Sequence, residues 1–240
     1  MNRVSIGFDR ALKMEWLDYA AALALEGVET DEARHRMLEA FADQFEGKEA
    51  LAKAVLVVQR VWFPAGDVQR RLRAAAAASL RDVAPDERLG LHWAMMLSVY
   101  PFFHDCTIVI GRLTQLQPTF TGVQMQRRLV EDWGDRRIVD RARQHALQTM
   151  VWLDVLTMLS KRGIYEVGPR RVLRDLRVER IVLGALIAAS PAGSIDVHQA
   201  TASPALYPFE LTHNVAEIAS GDGFKLITEA GNRRTVTMVQ

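Results

Sequence analysis

The chain of 240 residues holds a single cysteine, Cys106. An intrachain disulfide and a paired-cysteine zinc site are therefore excluded, and nothing points to an oxidising compartment. Also missing are a Gly-x-x-x-x-Gly-Lys-Ser/Thr phosphate loop, a Gly-x-Gly-x-x-Gly dinucleotide turn, a Gly-x-Ser-x-Gly elbow and a His-Glu-x-x-His zinc helix. The most apolar run, Ile181 to Ala189, falls far short of the roughly 20 residues that span a bilayer. Near the N-terminus, Glu15 and Asp18 interrupt the apolar stretch too early for a signal peptide. These absences predict a soluble, cytoplasmic, non-enzymatic protein with no metal, no cofactor and no membrane partner.

What is present is ordinary globular composition, 49% apolar and 25% charged, sufficient for real cores. The net charge of +1 conceals an uneven distribution. Residues 1–122 carry 14 Lys/Arg against 16 Asp/Glu, 123–180 carry 13 against 8, and 181–240 carry 3 against 5. A basic middle between mildly acidic ends fits local contact with a polyanion. The plainer reading pairs several of these arginines with Asp140, Asp154, Asp175 and Glu179.

Apolar spacing and breakers predict a mainly α fold: a helical bundle with a helix-turn-helix unit and a C-terminal winged-helix-like domain ending in a β-hairpin. Helices are expected over 14–26, from Thr30 to about Phe45, over 48–62, 67–80, 86–100 and 102–116. Asp31 and Glu32 suit a helix start, and Phe63-Pro64-Ala65-Gly66 is a stop. Ala74 to Ala78 gives high helix propensity without carrying chemistry. Domain boundaries are placed at 1–84, 85–175 and 176–240.

The stretch Thr119 to Pro169 carries the functional signal. Gly122 to Trp133 is helical, Gly134 ends it, and Asp135 is positioned to cap a long helix running to Lys161. On that second helix Ile138, Ala142, Ala146, Met150 and Leu153 form the expected core stripe. Arg137, Arg141, Gln144 and Gln148 share a flank, with Arg136 and Arg143 in the first turns. Guanidinium forks recognise guanine edges and phosphates, and glutamine amides pair with adenine. Ile164 to Val167 with Gly168-Pro169 reads as one wing strand, and only Arg170 to Leu173 offers itself as a second. The candidate DNA contacts are thus Arg127, Arg128, Arg136, Arg137, Arg141, Arg143, Gln144, Gln148, Arg170 and Arg171. A solvated helix face is the bland alternative.

The C-terminal part reads as helix (178–189), a short helix from a Ser194 cap through Ala202, a helix from Phe209 to Ser220, and a hairpin of 224–228 with 233–239. Its last helix presents Glu210, His213, Asn214 and Glu217, a poor phosphate-facing set. Arg233 and Arg234 at the hairpin tip are possible wing contacts with backbone phosphate.

Other reactive types read as structural. His104-Asp105-Cys106 are consecutive and point about 100° apart on a helix, so they do not converge on one atom. His92, His198 and His213 read as satisfied polar or capping residues, and Glu131-Asp132 as ion partners of Arg127 and Arg128. Trp93, Trp133 and Trp152 fall on apolar faces and are assigned to cores.

Leu91-His92-Trp93, Tyr100-Pro101-Phe102-Phe103 with Asp105, the arginine-rich helix-turn-helix and Gly163-Ile164-Tyr165 together resemble the small helical BrxA-type proteins of bacterial BREX phage-defence systems. The resemblance covers residues 10–167 and leaves 176–240 outside it. It implies an all-helical, non-enzymatic DNA-binding protein acting beside larger defence components. The leading expectation is therefore an accessory protein of a prokaryotic defence system that binds double-stranded DNA. The competing readings are a helical protein-interaction scaffold using Phe102, Phe103, Tyr207, Pro208 and Phe209 as exposed anchors, and an autonomous transcriptional regulator.

Overall fold

The computed structural model describes residues 6–160, 163–228 and 234–239. The chain is mainly helical with small sheets. Four helices open it: α1 (Met14–Leu25), α2 (Thr30–Ala40), α3 (Lys48–Trp62) and α4 (Asp67–Ser79). Of these, α3 and α4 pack on α5 (Arg88–Val99), which has no Asp, Glu, Lys or Arg after Arg88 and is buried from Leu89 to Ser98. A helix apolar on every side belongs at the centre of a core. Its principal partner is α9 (Leu176–Ala189), which carries Arg177, Glu179 and Arg180 near its start and is buried at Val178, Glu179 and from Ile181 to Ile187.

Small residues let these central helices approach. A Cβ on Gly90 would lie 2.8 Å from Val178, and one on Gly184 would lie 2.7 Å from Leu72 of α4. The main hydrophobic core consequently runs from Ile6 through α5 and α9 to Phe209, continuous across positions 84 and 175. No single helix among the described residues is long and apolar enough to cross a membrane. The apolar neighbours α5 and α6 (Pro101–Thr114) are bent by 117° and packed inside the protein.

The remainder is built twice on one plan. The first unit runs α6, β1 (Thr119–Thr121), α7 (Gly122–Trp133), α8 (Arg137–Trp152), β2 (Leu156–Ser160), β3 (Ile164–Val167), with antiparallel sheet order β1-β3-β2. The connecting β4 (Arg171–Leu173) leads into the second unit: α9, β5 (Ser194–Asp196), α10 (Val197–Ala200), β6 (Phe209–Leu211), α11 (Val215–Ile218), β7 (Phe224–Thr228) and β8 (Arg234–Met238). Setting β6 aside, its order is again helix, strand, two helices, two strands. Its antiparallel sheet is β5-β8-β7, the same first-third-second arrangement. Strand β6 leaves this unit to pair parallel with β4, register Arg171↔Phe209.

Several expected elements differ. The stretch 209–220 is not one helix, because Phe209–Leu211 extends to pair with β4 and only Val215–Ile218 is helical. Ser194 caps nothing; it opens β5, and Asp196 caps α10 through the N–H groups of His198 and Gln199. The helix after Gly134 stops at Trp152, and 156–160 is a strand. Asp154, at φ 54°, turns the chain out of the helix. Asp135 is not the cap of its helix: Arg136 holds that position, and its side chain accepts no bond from the helix N–H groups. The helix from Thr30 breaks after Ala40 into a 3₁₀ turn over 42–44.

Candidate nucleic-acid interface

The α7–α8 pair is fixed from its first residue. Thr121 Oγ1 accepts from the Gln124 N–H at 3.1 Å, and Gln124 Oε1 accepts from the Thr121 N–H. This reciprocal cap satisfies two donors otherwise left open at a helix start. The Thr-x-x-Gln spacing was its sequence signal. Met125, Leu129 and Trp133 form the inner face of α7, and Trp133 Nε1 donates to Asp105 of α6 at 2.8 Å. Gly134, at φ 78°, then turns the chain in a conformation that disfavours side chains.

Of the expected stripe on α8, Ala142, Ala146, Met150 and Leu153 are buried, but its first position passes from Ile138 to Val139. Val139 is fully buried, while Ile138 is 55% exposed. The inner face is Val139, Ala142, Ala146, Leu147 and Met150. Buried Thr149 joins it by satisfying its hydroxyl internally: it donates to His145 O and accepts from the Leu12 N–H. At about 100° per residue, Arg137, Arg141, Gln144 and Gln148 all fall within roughly 60° on the outer side. Arg137, Arg141 and Gln144 are exposed and Gln148 is half-buried. Gln144 Nε2 donates to Asp140 Oδ2 at 2.8 Å.

The other arginines have varied employment. Arg143 is nearly enclosed, its side chain 12% exposed. It donates from Nε to Gln126 Oε1 at 3.0 Å and from Nη2 to Asp140 Oδ1 at 2.6 Å. A Cβ on Gly122 would meet its Nη1 at 2.6 Å, so glycine there makes room for the guanidinium. Arg143 thus braces α7 against α8 instead of facing outward. Arg136 turns back to the carbonyl of Trp133, closing the end of α7. Arg127 and Arg128 are exposed on α7, Arg128 beside Glu131 at 3.4 Å.

Arg170 and Arg171 do not belong to a wing. Arg171 lies in β4 and donates to Asp154 O at 2.9 Å. Arg170 sits over the Tyr207 ring at 5.7 Å, and both join the two units. The first unit's hairpin is instead β2–β3, with Met158 and Leu159 half exposed. Their apolar, β-type sequence had read as the end of a helix. Arg234 begins β8 and is half-buried; Arg233 lies outside the described residues.

The reactive types are placed structurally. Cys106 is fully buried, and burial pushes its thiol well up, reinforced by Asp105. His92 is also fully buried: its Nδ1 accepts from Trp62 Nε1 at 3.1 Å, and its Nε2 meets Asp18 Oδ1 at 2.9 Å. His213 Nδ1 contacts buried Glu179 at 2.6 Å. Trp93 and Trp133 are buried as expected, whereas Trp152 is 43% exposed at the edge of Trp16. The five aromatic and proline anchors of the scaffold reading, Phe102, Phe103, Tyr207, Pro208 and Phe209, are all buried. They are unavailable to a partner protein in this structure.

Comparison with protein-family models, curated proteins and solved structures finds no match.

Proposed function

We propose that this protein binds double-stranded DNA through two winged-helix-like units in tandem, with α8 of the first as the principal reading helix. The observation that carries this is the outer face of α8. Arg137, Arg141, Gln144 and Gln148 line one arc of α8, the third helix of a three-helix, three-strand unit and the second of its α7–α8 pair, the position that enters the major groove in helix-turn-helix proteins.

The electrostatics support the same reading. Arg137 stands at the start of α8 beside Arg136, where the helix dipole is positive and no side chain caps the free N–H groups. The two cations oppose the dipole and only Asp140 in the first turn favours it, so a phosphate oxygen there would be favourable to both cations and dipole. Exposed Ile138, directly after Arg137, offers apolar surface suited to a thymine methyl. Arg127 and Arg128 on α7 serve as backbone-phosphate contacts, Arg143 and Arg136 as braces. Arg170 and Arg171 set the spacing between units. The second unit, with four-residue helices α10 and α11, contributes mainly through its hairpin at Arg234.

The test is fluorescence anisotropy of labelled duplex with Arg137→Ala/Arg141→Ala beside the parent. Loss of affinity with unchanged circular dichroism supports the assignment; retained affinity in the folded variant removes it. The role in prokaryotic phage defence rests on the BrxA-type resemblance. It predicts that the same variant loses phage restriction and that neighbouring gene products co-purify with the parent.

A further inference from the structure

A second feature lies away from α8, where α4 meets α9 and the β7–β8 hairpin. These elements line a half-open pocket of about 300 Å³. Its walls are Leu72, Ala75, Ile181, Phe224 and Met238, an almost wholly apolar lining. Three guanidiniums stand around it: Arg71, Arg177 and Arg180. Arg177 is already committed to Asp175 at 2.6 Å and Asp82 at 3.5 Å. The other two, among the described residues, have no carboxylate within ion-pair distance. Arg71 donates from Nη1 to Val239 O at 3.0 Å, and Arg180 from Nε to Ile218 O at 3.1 Å.

Those backbone bonds anchor each guanidinium while leaving further donors on each fork. Arg180 is also seated by packing, since a Cβ on Gly221 would fall 2.6 Å from its Cζ. The one acid in the lining, Asp222, does not balance the two cations. A half-open apolar pocket edged by positioned guanidiniums that have no ion-pair partner among the described residues has the chemistry of a site for an amphipathic anion.

We propose that this pocket binds a small carboxylate with an apolar body of roughly ten carbons, the body between Leu72 and Phe224 and the carboxylate on Arg180 and Arg71. Such an occupant would touch α4, α9 and both strands of the C-terminal hairpin at once. The site is independent of the DNA-binding reading.

Isothermal titration of the full chain with decanoate, below its aggregation threshold, tests the proposal. Expected is saturable one-to-one binding. Octanoate should bind roughly tenfold more weakly, since each methylene lost costs about three- to fourfold. Decanol, lacking the charge, should bind at least tenfold more weakly than decanoate, as should decanoate to Arg180→Gln. Ala75→Phe places a ring into the pocket from an exposed position on α4 and should abolish binding in a folded protein, which keeps the test decisive if Arg180→Gln is unstable. Absence of saturable binding, decanol binding as tightly as decanoate, or undiminished binding by Ala75→Phe would overturn the proposal.

Discussion

Arg143 on α8 donates to Gln126 on α7 across 3.0 Å, and this bond separates the arginines that hold the motif together from those that stand free on it. A guanidinium with its side chain 12% exposed and engaged by Gln126 and Asp140 is structural. Arg137 and Arg141, on the same helix, have open surroundings.

Stability should therefore distinguish them. Arg143→Ala leaves Gln126 Oε1 without its donor and should destabilise the protein by about 1–3 kcal/mol. Arg137→Ala and Arg141→Ala should stay within roughly 0.5 kcal/mol of the parent. Urea unfolding of the three variants checks this. Equal destabilisation by all three would contradict the division.

The connection between the two units makes a sharper demand. Gly111 of α6 faces the backbone carbonyl of Pro204, and an added Cβ would lie 2.2 Å from that oxygen. Backbone cannot rotate away as a side chain can. Gly111→Ala should cost about 1–3 kcal/mol despite its better helix propensity. A neutral or higher melting temperature would show that the 204–206 turn yields freely.

Buried Glu179 holds the approach to α11. Its carboxylate accepts from the Thr212 N–H, the Thr212 hydroxyl at 3.1 Å and the His213 N–H at 3.3 Å, and meets the His213 ring. Glu179→Ala would strand these groups and should cost about 3–5 kcal/mol. Chemical denaturation measures it, and a cost below 1 kcal/mol would contradict the account.

Stability should also decline on mild acidification. Burial lowers the pKa of His145 below its ordinary 6.5, with Arg10 and Arg141 adding to the effect and Asp9 opposing it. The folded state then binds a proton less readily than the unfolded chain. Its contribution is complete above pH 6.5 and is lost as pH falls from there through the lowered folded value. His145→Gln should flatten that segment of the stability–pH curve. Asp18, lowered chiefly by its bond to His92, acts in the same direction but below its ordinary 3.8, so the two windows separate.

The sequence was most legible where one apolar period dominated. The bounds of α3 and α7, the helix expected over 86–100 and the terminal hairpin all followed from spacing and breakers. It was least legible where pairing with a distant strand decided the outcome. Phe209–Leu211 looked helical until β4, far back in the chain, drew it into a parallel pair. Leu156–Ser160 continued a helical pattern, and only Asp154's positive φ ended it.

At the candidate site, the shared flank of Arg137, Arg141, Gln144 and Gln148 was visible from periodicity. The core stripe held at Ala142, Ala146, Met150 and Leu153, and only its first position passed from Ile138 to Val139, because Ile and Val side by side fit either register. That Arg143 braces while its neighbours stand free depends on Gln126, whose approach only the folded turn determines.

On the proposed function, α8 meets DNA through Arg137 and Arg141. The most direct test of this is the slope of log affinity against log salt for labelled duplex, measured for the parent and for Arg137→Ala/Arg141→Ala. The account predicts salt-sensitive binding by the parent and, if both arginines contact phosphate, a slope shallower by about two in the variant. If either reads a base instead, discrimination between duplex sequences should fall by about 1–3 kcal/mol at that position. A parent that does not bind duplex at low salt, or a variant identical in slope, affinity and discrimination, would contradict it.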